Sequence, residues 1–440
     1  MSFDIVIHNG RLITVNSKFD IIDNGIICVK DTKIEKITKS ESAKPLPTAK
    51  LSIDAKGGLI LPGLVNTHTH LPMTLFRGLA DDLALDEWLN NYIFPAEKRY
   101  INKESVRLGS LLGCAEMLSF GITTCCDGYF IEDEVANAVL NAGLRAVLGH
   151  GVIDFPAPGI TDPKDNIKYA NKFIEKWIDR SPLITPSIFC HSPYTCSSET
   201  LKRAKRIAAE KGLIFQIHAA ETRQEMEGIK ARHGVTPIAY LDKLDVLDKN
   251  TLLVHTLWID DNDINIITRK KANVSHNPES NMKLASGILP LVELLDAGIV
   301  VGLGTDGSAS NNNLNLFETM NVTSKIHKVK NLNPTLIDAA MVLKMATIDG
   351  ARALGMDNKI GSLEPGKQAD IIIIDTRQPH LVPLYNPVSH LIYAARGSDV
   401  KDVLVAGKVV VRNKKLLTID IENLQDTVNL MADKIDVTLP

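Results

Sequence analysis

Between about residues 60 and 360 the chain alternates two kinds of segment. Near-continuous apolar runs recur eight times: LILPGLV, GITTCCD, RAVLGHGV, LITPSIF, LIFQI, TLLV, ANVS and IVVGLG. Between most of them lie segments with apolar residues at helical spacing, such as SVRLGSLLGCAEMLSF, ETLKRAKRIAAEK and ILPLVELLDAG. A run apolar on both faces marks a strand of a buried parallel sheet. Strand–helix alternation reads as βα units, and eight units predict a (β/α)8 barrel. The two ends read differently. FDIVIHN and LITVN flank a turn signal at Asn9-Gly10, and GIICVK and KIEKITK flank Asp31-Thr32. Near the other end come ADIIIID, DVLVAG and KVVVRN, with a hairpin turn expected at Gly407-Lys408. These short strands predict one small β-sandwich domain assembled from both termini. The expected division is residues 1–58 and 363–440 for the β domain and 59–362 for the barrel.

Polar residues at the strand ends support a closed barrel, which gathers them at one mouth. The first run ends in His68-Thr69-His70, the fourth in His191, the fifth in His218 with Glu221 beyond, the sixth in His255 and the eighth in Asp306. Residues two apart on a strand share a face, so His68 and His70 can reach one metal ion. Neutral imidazole suits zinc, and a catalytic zinc keeps about three protein ligands and an open position. His218 and Asp306 are the natural completing ligands. Glu221, three residues after His218, is placed for general acid/base work beside a metal site. His276 ends the seventh run, where it could hydrogen-bond a ligand. His8, His233, His327, His380 and His390 read as surface or packing residues. Gly302-Leu303-Gly304-Thr305-Asp306-Gly307 matches the dinucleotide fingerprint, but a polar loop, SASNNNLNL, follows it instead of a helix. Those glycines are expected instead to let the backbone pass close to a crowded site.

Composition narrows the choices further. The 440 residues carry a net charge of −3, which argues against nucleic acid as a partner. No apolar run reaches the roughly 20 residues of a membrane span, and MSFDIVIHNG lacks the pattern of a signal peptide. Six scattered cysteines form no C-x-x-C pair and are expected as buried, reduced thiols of a cytoplasmic protein.

PGLVNTHTH, HAAE, LVHTLWI, SHNPESNMKLASG and GLGTDGSASNNNLNLFETM together resemble the amidohydrolase superfamily, in particular its 5-methylthioadenosine/S-adenosylhomocysteine deaminase branch. GSLEPGKQADIIIID resembles that family's return into the small β domain. The resemblance implies one divalent metal on His68, His70, His218 and Asp306, usually zinc, with Fe2+ or Mn2+ as alternatives. The fourth run ends in Cys190-His191 where binuclear relatives place a lysine, which favours a mononuclear site. It further implies that Glu221 shuttles protons and that His255 and Asp306 help activate water. Glu97 is expected to hold the ribose hydroxyls, His191 to contact substrate, and Trp88 to lie on a loop over the site. Members that take S-adenosylhomocysteine use arginines near the end of strand 3 and in the following loop. Here His150 stands at the matching position, and FPAPGITDPKD carries no arginine. This leaves methylthioadenosine, adenosine or another 6-aminopurine nucleoside at least as favoured, with no nucleic acid or membrane partner and a homo-oligomer left open. The rival readings are another deaminase or chlorohydrolase of the superfamily, acting on guanine, cytosine, a pterin or a triazine, and a non-catalytic binding protein on the same fold.

Overall fold

The computed structural model describes residues 2–41 and 44–435. Five strands open the chain: β1 (Phe3–Ile13), β2 (Ile21–Lys30), β3 (Lys33–Lys39), β4 (Ala49–Asp54) and β5 (Leu59–Pro62). Eight follow in the middle: β6 (Leu64–Thr69), β7 (Ile122–Tyr129), β8 (Arg145–Val152), β9 (Ile184–Cys190), β10 (Phe215–Ala219), β11 (Thr251–His255), β12 (Asn273–His276) and β13 (Val301–Leu303). Four close the chain: β14 (Ile371–Ile374), β15 (Val400–Val405), β16 (Lys408–Arg412) and β17 (Lys415–Leu416).

Strands β6 to β13 form one all-parallel sheet in sequence order, with helices in the connections. The ends of that sheet meet: the Asp306 N–H, just after β13, donates to the His68 carbonyl of β6 at 3.0 Å. All eight predicted runs contribute a barrel strand. The first run divides, however. Leu59–Pro62 pairs with β1 and β14 in the small sheet, and only Leu64–Thr69 enters the barrel. Gly63 is the pivot, because a Cβ there would sit 2.0 Å from Thr123 Oγ1.

The terminal strands form a separate mixed sheet in the order β17-β16-β15-β14-β5-β1-β2-β3, with β4 pairing β1. Its alternate apolar residues, among them Ile7, Leu12, Ile27, Ile53, Ile60, Ile371 and Ile373, share one buried cluster. Asn9-Gly10 is not a turn between two strands. The chain runs straight through it with Asn9 at φ 57, and the register against β2 shifts between Ile7 and Gly10. This is a β-bulge, and it persists because both flanks pair with the same neighbour. The hairpin near Gly407 forms one residue earlier than expected, over Ala406 and Gly407, both left-handed.

The two domains are joined by a buried ion pair. Arg145, at the foot of β8, donates from Nε and Nη2 to the two oxygens of Asp370 at 2.8 and 3.1 Å. All six cysteines are buried and free, in keeping with the thiol expectation. Among the described residues, no helix is long and apolar enough to cross a membrane.

Candidate metal centre and active site

The barrel mouth collects the predicted ligands. His68 and His218, on strands four positions apart in the sheet, face each other with their Nε2 atoms 3.1 Å apart. Asp306 Oδ1 lies 3.4 Å from Nε2 of both His68 and His70. The His70 ring is oriented by its Nδ1, which donates to the Gly128 carbonyl of β7 at 2.6 Å. That fixes the tautomer and turns the Nε2 lone pair inward. Asp306 sits at φ 62 and is held by the Gly307 N–H at 2.8 Å and by the hydroxyls of Ser280 and Ser310 at 2.7 and 3.0 Å.

Electrostatics prepares this cluster for a cation. Burial lowers the His68 imidazole to about 4 and holds His218 well below its ordinary range, so both are neutral. Burial alone would raise the Asp306 carboxyl, but the bonded His68 ring and the neighbouring histidines keep it well below the usual carboxylate value. Three neutral imidazoles and one carboxylate gathered at one barrel mouth, with His68 shared between the His70–Asp306 and His218 sides, are a donor set that would suit a divalent metal, zinc foremost. His255 also belongs to the cluster, since its ligating nitrogen lies within 4.8 Å of those of His68 and His218. Its Nδ1 lies 2.8 Å from Asn281 Oδ1, and its Nε2 lies 3.8 Å from Glu221 Oε2. His255 thus neighbours both the ligand cluster and Glu221.

The glycines of the GLGTDG segment serve close approach. A Cβ on Gly304 would fall 2.1 Å from Asn277 Oδ1 and 3.0 Å from His68 Cβ, and one on Gly302 would fall 2.4 Å from Thr67 Cγ2. A helix long enough to hold a pyrophosphate does not open after Gly307; the next turn is the four-residue Ser308–Asn311.

A cavity opens above the ligands. Glu221, His255, His191, Glu97 and Trp88 all line it, together with Phe94, Phe130, Phe189 and Leu284. Glu97 is buried, accepts a hydrogen bond from the Tyr129 hydroxyl at 2.5 Å, and is pushed up to about 7 by burial, against that bond. Burial likewise raises Glu221. His191 is neutral, lowered to about 3 by burial and by the other histidines, and its Nδ1 lies 3.0 Å from Thr195 Oγ1. Trp88 lies not on a loop but in a wide π-type helical turn, Trp88–Ile93, that caps the cavity. Such turns are frequent at functional sites.

Two sequence expectations find different surroundings. His150 is on the outer side of β8, its ring 6.5 Å from those of Tyr169 and Phe173, and it does not line the cavity. The adjacent Gly151 faces the cavity instead. His276 bonds to His327 across 3.0 Å rather than to a ligand. The residues of SHNPESN that do serve the site are Ser280 and Asn281. A dense run of small polar residues after a barrel strand was the available signal for them.

The amidohydrolase family pattern matches residues 59–410. The chain belongs to that family. It is 42% identical over 429 residues to the 5-methylthioadenosine/S-adenosylhomocysteine deaminase of Syntrophobacter fumaroxidans, covering 98% of each chain. It is 45% identical over 397 residues to the 5'-deoxyadenosine deaminase of Methanothermobacter thermautotrophicus, covering 90% of this chain and 91% of that one. The crystal structure of an adenosine deaminase from Xanthomonas campestris with bound zinc superimposes with a TM-score of 0.96 at 34% identity, covering 99% of both chains.

Proposed function

We propose that this amidohydrolase is a metal-dependent deaminase that replaces the 6-amino group of an adenine nucleoside with oxygen and releases ammonia. The observation that carries this reading is the placement of Glu221. It is a buried, non-ligating carboxyl 3.8 Å from His255 and next to the ligand cluster, on the wall of an apolar cavity. His68, His70, His218 and Asp306 would hold the divalent metal, zinc foremost, which when bound would lower the pKa of water toward about 7. The remaining work belongs to the chain. Burial keeps a proton on Glu221 to a higher pH than an exposed glutamate would hold it. Glu221 donates that proton to ring N1, which makes C6 electrophilic. The water oxygen adds at C6 while His255 and Asp306 orient its protons; one of these passes to the Glu221 carboxylate, which delivers it to the amino nitrogen. The C6–N bond then breaks, ammonia leaves with the electron pair, and the remaining hydroxyl proton returns to Glu221 as the C6 carbonyl forms. A chloride would leave unaided, so the carboxyl favours the amine. Glu97 holds the ribose hydroxyls, His191 hydrogen-bonds the base, and Trp88 covers it.

The rest of the cavity bears on the 5' substituent. Among the described residues no lysine or arginine lines it, while Phe94 also borders an adjoining pocket in which Phe155 of the loop after β8 packs edge-on against it, ring centres 5.5 Å apart, and in which Arg223 and Arg232 stand exposed. Apolar 5' groups, methyl or methylthio, fit the cation-free cavity, whereas the charged homocysteine tail of S-adenosylhomocysteine would have to reach the arginines of the adjoining pocket to find a partner.

The decisive variant is Glu221→Gln. It should keep one metal per chain by elemental analysis and lose at least about 10²-fold in kcat, the usual worth of a general acid/base. A near-wild-type rate contradicts the assignment.

A further inference from the structure

Four residues beyond Glu221, a second buried glutamate holds the backbone from which Glu221 projects. Glu225 lies in the first turn of the helix Arg223–His233. A glutamate there ordinarily extends into water, where it favours the helix N-terminus. This one folds back and is only 7% exposed. One oxygen accepts the Ala220 N–H at 2.9 Å, and the other accepts the Glu221 N–H at 2.8 Å. Its own N–H is taken by Thr222 Oγ1 at 3.0 Å, which fixes the turn it stands on. The clamp spans a strained point: Ala220 is left-handed at φ 55, and its carbonyl accepts from the N–H groups of Leu257 and Trp258 at 2.9 and 3.0 Å. A non-glycine residue in that region persists where its surroundings hold it there.

We infer that Glu225 is the positioning residue for the proton donor, its two oxygens fixing the peptide groups that aim Glu221 at the substrate. The inference rests on Glu221 being that donor. Only a carboxylate accepts on both atoms. Glutamine would turn an NH2 group toward one of the two N–H donors and break half of the clamp. The expected defect is therefore in proton delivery, and not in metal binding or substrate affinity.

Leaving-group dependence isolates that defect. A 6-aminopurine nucleoside needs a proton at N1 and a second on the departing amine. A 6-chloropurine nucleoside needs only the first: water oxygen bonds to C6, the C–Cl bond breaks, chloride takes the electron pair, and the spare proton goes to solvent. In metal-loaded E225Q, the amino-to-chloro ratio of kcat should fall at least about tenfold below wild type, within the range of a single proton transfer. KM for both substrates and metal content should stay near wild type. An unchanged ratio, whether both rates fall together or neither falls, overturns the inference. E221Q, assayed in parallel, separates the two ideas. If its ratio is unchanged, the proton-donor reading fails first; if its ratio falls and that of E225Q does not, only the role of Glu225 fails. Should E225Q not fold, Glu225→Asp, which reaches one of the two N–H groups, should show the same split at smaller size, and an unchanged ratio there overturns the inference equally.

Discussion

At the scale of single residues, the site depends on what burial does to each titratable group. His68, His70 and His218 could be read as ligands because strand ends of a barrel converge, and two imidazoles at i and i+2 share a face. With the Nε2 atoms of His68 and His218 only 3.1 Å apart, the pair is best satisfied by a cation that takes both lone pairs. His68→Ala should therefore abolish metal binding, and elemental analysis of the purified protein would check it. Glu225 and Tyr129 were not legible in advance. A glutamate at the start of a helix looks like an ordinary surface residue, and Tyr129 became interpretable only once β7 placed its hydroxyl on Glu97. Glu97 carries a pH signature. Its folded value is raised to about 7 from an ordinary 4.5, so between those values the folded state binds more protons than the unfolded state. Its contribution to stability is full below about 4.5 and is lost as pH rises through about 7. Glu97→Gln should accordingly gain in unfolding midpoint relative to wild type at pH 8 compared with pH 5, while raising KM for nucleosides. A pH-independent difference between the two proteins would count against the buried carboxyl.

At the scale of elements, apolar periodicity fixed the number of barrel strands but not where a strand changes sheets. LILPGLV is one uninterrupted apolar run, yet Leu59–Pro62 and Leu64–Thr69 serve different sheets. Both halves are buried, so hydropathy has no contrast to mark the break at Gly63. The Asn9-Gly10 signal failed for a related reason. Local turn chemistry is as compatible with a bulge as with a hairpin, and cross-strand pairing decides between them. The glycines of GLGTDG were legible in role, because a polar loop follows them, while their neighbours were not. Gly304→Ala would drive a methyl group into Asn277 and toward His68. A destabilisation of about 1–3 kcal/mol is expected for such overpacking, with weakened metal affinity. Chemical denaturation and metal titration would measure the two together, and a fully stable, fully loaded G304A protein would show that the close approach is not required.

For the whole molecule, the small sheet locks the first barrel strands. β5 runs directly into β6, and Arg145 at the foot of β8 is paired with Asp370 beside β14. Arg145→Ala leaves the Asp370 carboxylate buried without its cation, a loss of about 3–5 kcal/mol. Because the pair lies at the foot of β8 and the chemistry at the barrel mouth, kcat at temperatures where the variant stays folded should be close to wild type. The sequence showed the assembly of one domain from both ends through its short terminal strands, but the contact between the domains rests on residues 225 positions apart that no local pattern links. Barrel mouth, divalent metal and buried proton donor act together on a 6-aminopurine nucleoside. Ammonia release from metal-loaded protein, measured against methylthioadenosine, S-adenosylhomocysteine, adenosine, guanine, cytosine and a triazine, is the deciding experiment. The expected outcome is ammonia from the adenine nucleosides, and none after the metal is removed. Turnover confined to guanine, cytosine or the triazine, or nucleoside turnover that survives metal removal, would contradict it.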